Sequence, residues 1–136
     1  MRKLKTYIVE DSQVIRESLI ATLEELAPVR VVGTAESEAA ATQWLAKTDQ
    51  RLDLIILDIF LKSGSGLGIL RMLRELPGQR IVVMLSNYAT ADIRRKCLDL
   101  GATRVFDKSN EIDGLMDFCN AMRKVDMDDA KLPAAP

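Results

Sequence analysis

Leu54-Ile55-Ile56-Leu57-Asp58 runs four aliphatic residues into a carboxylate, and the reading of the chain turns on this stretch. A charge at the end of so apolar a run is costly unless it sits where the run leaves the core. The arrangement recurs. Glu10-Asp11 closes Tyr7-Ile8-Val9, Ser86 closes Ile81-Val82-Val83-Met84-Leu85, and Lys108 follows Val105-Phe106 after Asp107. Short apolar runs with helical patterns between them read as buried parallel strands. In an open α/β sheet, residues just past the carboxyl ends of the strands share one crevice. Three carboxylates, a hydroxyl and an ammonium are therefore expected together, a combination suited to chemistry on a phosphoryl group.

Working outward, strand one is expected over residues 5–9, with a helix following from Ser12, a good N-cap. Val14, Ile15, Leu19, Leu23 and Leu26 keep helical spacing until Pro28 stops it. Residues 29–32 give strand two, the Ala-rich stretch 36–47 helix two, and residues 53–57 strand three. The Lys62-Ser63-Gly64-Ser65-Gly66 loop precedes helix three, which ends before Pro77-Gly78. Strand four covers residues 81–85, helix four residues 89–100 with Gly101 as its left-handed stop, and strand five residues 103–106. Helix five puts Ile112, Leu115, Met116, Cys119 and Met122 on one face. Five strands alternating with five helices predict a doubly wound α/β domain, a parallel sheet in flavodoxin-like order 2-1-3-4-5 with helices on both faces. The domain spans residues 1–125, and residues 126–136 read as a flexible C-terminal tail.

Composition narrows the function. With 136 residues, 48% of them hydrophobic, the chain can build one core without staples. Nineteen basic and 20 acidic residues leave a net charge of -1, which argues against a general grip on nucleic acid. No apolar run approaches the ~20 residues that span a bilayer, and no targeting segment opens the chain, so a cytoplasmic protein with no membrane partner is expected. Cys97 and Cys119 fit no metal or redox spacing and fall on apolar helix faces. The absence of histidine excludes imidazole bases, imidazole ligands and a phosphohistidine carrier role.

Three carboxylates in one crevice repel each other and raise each other's pKa, and a hard divalent cation relieves this. Few protein oxygens and several waters suit Mg²⁺ better than Ca²⁺. Glu10, Asp11 and Asp58 are the side-chain ligand candidates. Asp58 can also act as nucleophile on phosphorus and hold an aspartyl-phosphate, with Lys108 and Ser86 turned to the phosphoryl oxygens.

Glu10-Asp11, Asp58 after Leu-Ile-Ile-Leu, Ser86 after Val-Met-Leu, Leu100-Gly101-Ala102 and Asp107-Lys108, in this order, resemble response-regulator receiver domains over residues 4–125. The resemblance implies that Asp58 accepts phosphate from a sensor histidine kinase or phosphotransfer protein, and that the Phe60 backbone carbonyl joins the Mg²⁺ ligands. Three positions depart from the family pattern. Ser109 and Lys62 stand where prolines are usual. Val105 stands where a switching Tyr or Phe is usual, and Phe106, one place later, is expected on the opposite face of its strand. Tyr88 is a candidate substitute reporter, and Phe60 and Tyr88 occupy the two positions that tune hydrolysis in the family.

With no DNA-binding or enzymatic segment expected after residue 125, output is expected through protein contacts: a target protein, a phosphorelay partner or a phosphorylation-dependent homodimer. Arg94, Arg95, Lys96 and Arg104 are the expected contact surface. Phosphatases and mutases of the haloacid-dehalogenase type also use an Asp nucleophile and Mg²⁺. They resemble Asp-x-Asp, however, and here Phe60 takes the proton donor's place. A phosphate-independent, receiver-like adaptor is the other alternative.

Overall fold

Leu54–Asp58 forms the middle strand, β3, of a five-stranded parallel sheet in a computed structural model that describes residues 3–78 and 80–124. The other strands are β1 (Leu4–Val9), β2 (Val29–Ala35), β4 (Ile81–Ser86) and β5 (Arg104–Asp107), in the order β2-β1-β3-β4-β5. The helices are α1 (Gln13–Leu26), α2 (Glu38–Lys47), α3 (Gly66–Glu75), α4 (Ala91–Asp99) and α5 (Ile112–Lys124). The expected class and strand order are borne out. The proposed tail lies outside the described residues.

All five residues of β3 are buried, because helices cover both faces of the sheet and alternation feeds two cores. Leu54 and Ile56 pack with Leu19, Leu23, Leu115 and Cys119 beneath α1 and α5. Ile55 and Leu57 pack with Leu45, Ile69, Leu70 and Cys97 beneath α2, α3 and α4. Both cysteines are buried free thiols, as the sequence suggests, and burial pushes Cys119 up to about 12. Val105 joins the second core and Phe106 the first, so the two residues do point to opposite faces of β5.

Element ends move slightly. β2 continues to Ala35, and α4 starts at Ala91 because Thr90 caps it, its hydroxyl accepting from the Ile93 N–H. The apolar row of α1 needs a larger correction. Its buried row runs Leu19, Leu23, Ala27 in steps of four, and Leu26 falls one residue off that row, 59% exposed. Val14 is 78% exposed in the first turn and borders, with Ile15, Leu19, Lys108 and Ile112, a cavity of about 290 Å³ between α1 and α5.

Candidate functional site

Parallel strands end at one edge, and the register brings the expected residues there. Asp58 pairs with Leu85, Ser86 with Asp107, and the Lys108 N–H continues the ladder by donating to the Ser86 carbonyl at 2.9 Å. Glu10, Asp11 and Asp58 each offer a carboxylate oxygen within 4.8 Å of the others. Glu10 and Asp58 are buried. The Lys108 ammonium donates to Asp58 Oδ2 at 2.9 Å and to Glu10 Oε1, so one cation from β5's end bridges two acids from β1 and β3.

Each acid is also held by backbone. Glu10 Oε2 accepts from the Ser12 N–H at 3.0 Å, Asp58 Oδ1 from the Phe60 N–H at 3.3 Å, and Asp11 Oδ2 from the Lys62 N–H at 2.6 Å. Arg16, which sequence reasoning missed, donates to the Glu10 carbonyl at 2.8 Å and to Glu36 at 2.9 Å. Nothing in the spacing of Arg16 announces this role, since it depends on where α1 leans.

Three acids against one ammonium leave the site short of positive charge. Burial lifts the Asp58 carboxyl from 3.8 to about 6, against the pull of Lys108 and with a further push from Glu10. Burial works to lower Lys108, but its hydrogen bonds to Glu10 and Asp58 outweigh that and raise it. Asp11, nearer the surface, resists its own desolvation through the Lys62 N–H and is lowered. A hard divalent cation fits this donor set, all oxygen and deficient in positive charge.

Residues 6–120 match the response regulator receiver domain family. The chain belongs to that family. Among curated relatives, a protein-glutamate methylesterase/protein-glutamine glutaminase of Syntrophus aciditrophicus is 32% identical over 107 residues, 77% of this chain and 30% of the relative. A counterpart in Anaeromyxobacter dehalogenans is 33% identical over 112 residues, 79% of this chain and 29% of the relative. This chain thus spans about 30% of the length of those proteins. Among solved structures, the response regulator domain of Thermotoga maritima CheB superposes with a TM-score of 0.76 at 22% identity, covering 92% of this chain and 99% of that one. The Francisella response regulator 1452 receiver domain gives 0.78 at 20% identity, covering 90% and 98%. These likenesses carry the fold. Receiver domains are signalling modules, and those that act with Mg²⁺ hold it on acidic residues of the kind clustered here. No helix among the described residues is long and apolar enough to cross a membrane.

The receiver's departures acquire a physical meaning in the structure. Lys62 and Ser109 stand where the family usually has proline, and both supply an N–H that proline lacks. Lys62 donates to Asp11 as above, and Ser109 donates to Asp107 Oδ1 at 2.7 Å. No cis peptide bond occurs among the described residues, so Lys108-Ser109 is trans. The Ser86 hydroxyl accepts from the Tyr88 N–H at 3.0 Å and makes no hydrogen bond to Asp58. The Phe60 and Tyr88 side chains are 55% and 74% exposed at the rim.

The expected basic surface on α4 needs correction. Arg94 turns inward: its Nε donates to the Ala89 carbonyl at 2.9 Å, one terminal nitrogen to the Val105 carbonyl at 3.0 Å, and the other to Glu111 Oε1. Glu111, lowered by the Arg94 hydrogen bond, also accepts from the Asp107 N–H at 2.9 Å. Arg104 lies over the Phe118 ring, 5.1 Å from its centroid. Arg95 and Lys96 are exposed and remain as the surface cations of the run.

Proposed function

We propose that this receiver accepts a phosphoryl group on Asp58 from a sensor histidine kinase or phosphotransfer protein and signals through a protein-interaction surface. The observation that carries the reading is the buried Asp58 carboxylate, paired with Lys108 and flanked by Glu10 and Asp11. The carboxylates of Glu10, Asp11 and Asp58, with the Phe60 carbonyl, would hold Mg²⁺. When bound, Mg²⁺ supplies positive charge to the phosphoryl oxygens.

An Asp58 oxygen attacks phosphorus as the bond to the donor nitrogen breaks, and the electron pair leaves with the donor's imidazole. Lys108, already within hydrogen-bond distance of Asp58, follows the transferred charge to a phosphoryl oxygen. Ser86 keeps a hydroxyl proton to donate, since its oxygen is the acceptor toward Tyr88. Drawing Ser86 toward the phosphoryl group would pull on the Tyr88 amide and on Ala89, whose carbonyl Arg94 holds. The phosphorylation signal would thus pass into α4, β5 and the start of α5. The reading makes the protein a cytoplasmic one whose output goes to a target protein or a second copy of itself.

Phe60 and Tyr88 stand over the site and would hinder the water that hydrolyses the aspartyl-phosphate. Phe60→Ala should shorten its lifetime several-fold, by roughly 1 kcal/mol of barrier; an unchanged dephosphorylation rate would remove this role. Val105, in place of an aromatic switch residue, favours a second reading, a phosphate-independent adaptor. Intact mass after incubation with acetyl phosphate separates the two. One added phosphoryl group, requiring Mg²⁺ and lost in Asp58→Asn, supports the phosphoacceptor. No addition from acetyl phosphate or from a histidine-kinase donor, in protein shown to be folded, supports the adaptor.

A further inference from the structure

The loop between β3 and α3 carries Phe60 and Lys62 to the acidic site, and an acid from another element grips it. Glu38, the first residue of α2, donates its N–H to the Ser63 carbonyl at 3.1 Å, and its Oε1 accepts from the Ser65 N–H at 2.8 Å. Gly64 and Gly68 make room for this side chain: a Cβ on either would collide with Glu38, and Gly64 also has φ +88. Ser65 passes the restraint inward. It bridges Phe60 across the loop, and its hydroxyl donates to the Ile59 carbonyl at 3.3 Å. The Gly66 N–H closes the loop onto the same carbonyl at 3.0 Å. At the other end, Asp11 holds Lys62. Two carboxylates from outside the loop therefore fix its backbone, one of them in the acidic cluster and the other not part of it.

We infer that Glu38 is a positioning residue for the acidic site: through Ser65 it fixes the Phe60 backbone, and with it the carbonyl proposed as a metal ligand. The inference rests on the metal-site reading above. A carboxylate suits the task because Ser65 is the N-cap of α3, where a negative acceptor is favoured by the helix end. Gly68→Ala offers a way to displace Glu38 without removing it, since the new methyl would occupy the place of its carboxylate.

Mg²⁺ affinity by calorimetry and amide exchange at Ser65 by NMR, on the wild type, Glu38→Ala, Glu38→Gln and Gly68→Ala, test this. Glu38→Ala and Gly68→Ala should weaken Mg²⁺ about tenfold and lose protection at Ser65, while Glu38→Gln, which keeps the acceptor oxygen, stays near wild type. Unchanged affinity in Glu38→Ala overturns the inference. An equal loss in Glu38→Gln also overturns it, assigning the effect to charge alone. If the wild type takes up no Mg²⁺, the metal-site reading fails. Ser65 exchange then decides the clamp separately: lost protection in Glu38→Ala supports it, and retained protection overturns it.

Discussion

The two loops that flank Asp58 are held in opposite ways. On the β3–α3 side, the loop backbone is fastened at several points: Gly66 lies against the Asp58 carbonyl, the Asp11 carboxylate holds Lys62, and the Glu38 carboxylate holds Ser65. On the β4–α4 side, one long side chain spans the gap. Arg94 joins Ala89, Val105 and Glu111, and Val105, packed in the core, stands where the family usually has an aromatic ring. Multiple short tethers have one arrangement, whereas a single flexible guanidinium can change partners. The difference suggests that the first side holds the chemistry and the second responds to it.

The largest expected effect breaks the first side. Any Cβ at Gly66 would overlap the Asp58 carbonyl, a backbone atom that cannot move without shifting β3. Gly66→Ala should cost about 3 kcal/mol or more in urea unfolding, and a loss under ~1 kcal/mol would mean this contact is soft.

Next comes the charge between the two sides. Asp58 ionises at about 6 in the folded protein, and an unfolded carboxyl near 3.9. Between these values the folded state keeps a proton that the unfolded chain has released. Without divalent metal, the contribution of Asp58 to stability is therefore fully present below ~pH 4 and lost as pH rises through 6, while the lowered Asp11 and Glu111 act in the opposite sense. The effect is on the order of 1–3 kcal/mol. Asp58→Asn should remove this slope and stabilise the metal-free protein at pH 7 by a similar amount. A mutant no more stable than the wild type at pH 7, with a difference between the two that does not change from pH 4 to 6, contradicts this account of the site.

On the second side, Arg94→Ala leaves the Val105 and Ala89 carbonyls without this donor and should cost about 1 kcal/mol. Faster amide exchange confined to residues 105–111 would locate the loss, and uniform exchange would deny Arg94 a local role. The smallest effect lies in the core, away from both loops. Tyr7 stacks on Trp44 with ring centroids 4.3 Å apart, and its hydroxyl is buried without a hydrogen-bond partner. Desolvation pushes that hydroxyl up to about 12. Tyr7→Phe should be neutral to about 1 kcal/mol stabilising in thermal unfolding, and a clear loss would show that the hydroxyl does have a partner.

The fold was legible because each apolar run ended in a polar residue, which sets strand, edge and crevice together. Glu10, Asp11, Asp58 and Lys108 followed from that alone, and the structure brings them within hydrogen-bond or ligand reach. Glu38, Arg94 and Arg16 were not legible. Each acts through a long side chain that reaches a backbone group in another element, and no local spacing encodes such a reach. The run Arg94-Arg95-Lys96 predicts a surface patch because a basic run on an amphipathic helix ordinarily faces solvent, and the inward turn of Arg94 depends on Glu111 in another element. Val14 and Ile15 keep the helical spacing of α1 yet stay exposed, because such spacing identifies a face without saying where the sheet beneath it ends.

Hydrogen exchange across the chain, with and without acetyl phosphate and Mg²⁺, tests the account most directly when the phosphorylated mass is followed in the same sample. Phosphorylation at Asp58 should change exchange in residues 86–111 and leave residues 59–68 unaltered, with no change in Asp58→Asn. A phosphorylated protein whose changes fall in residues 59–68, or a folded protein that neither gains mass nor changes exchange, would contradict it.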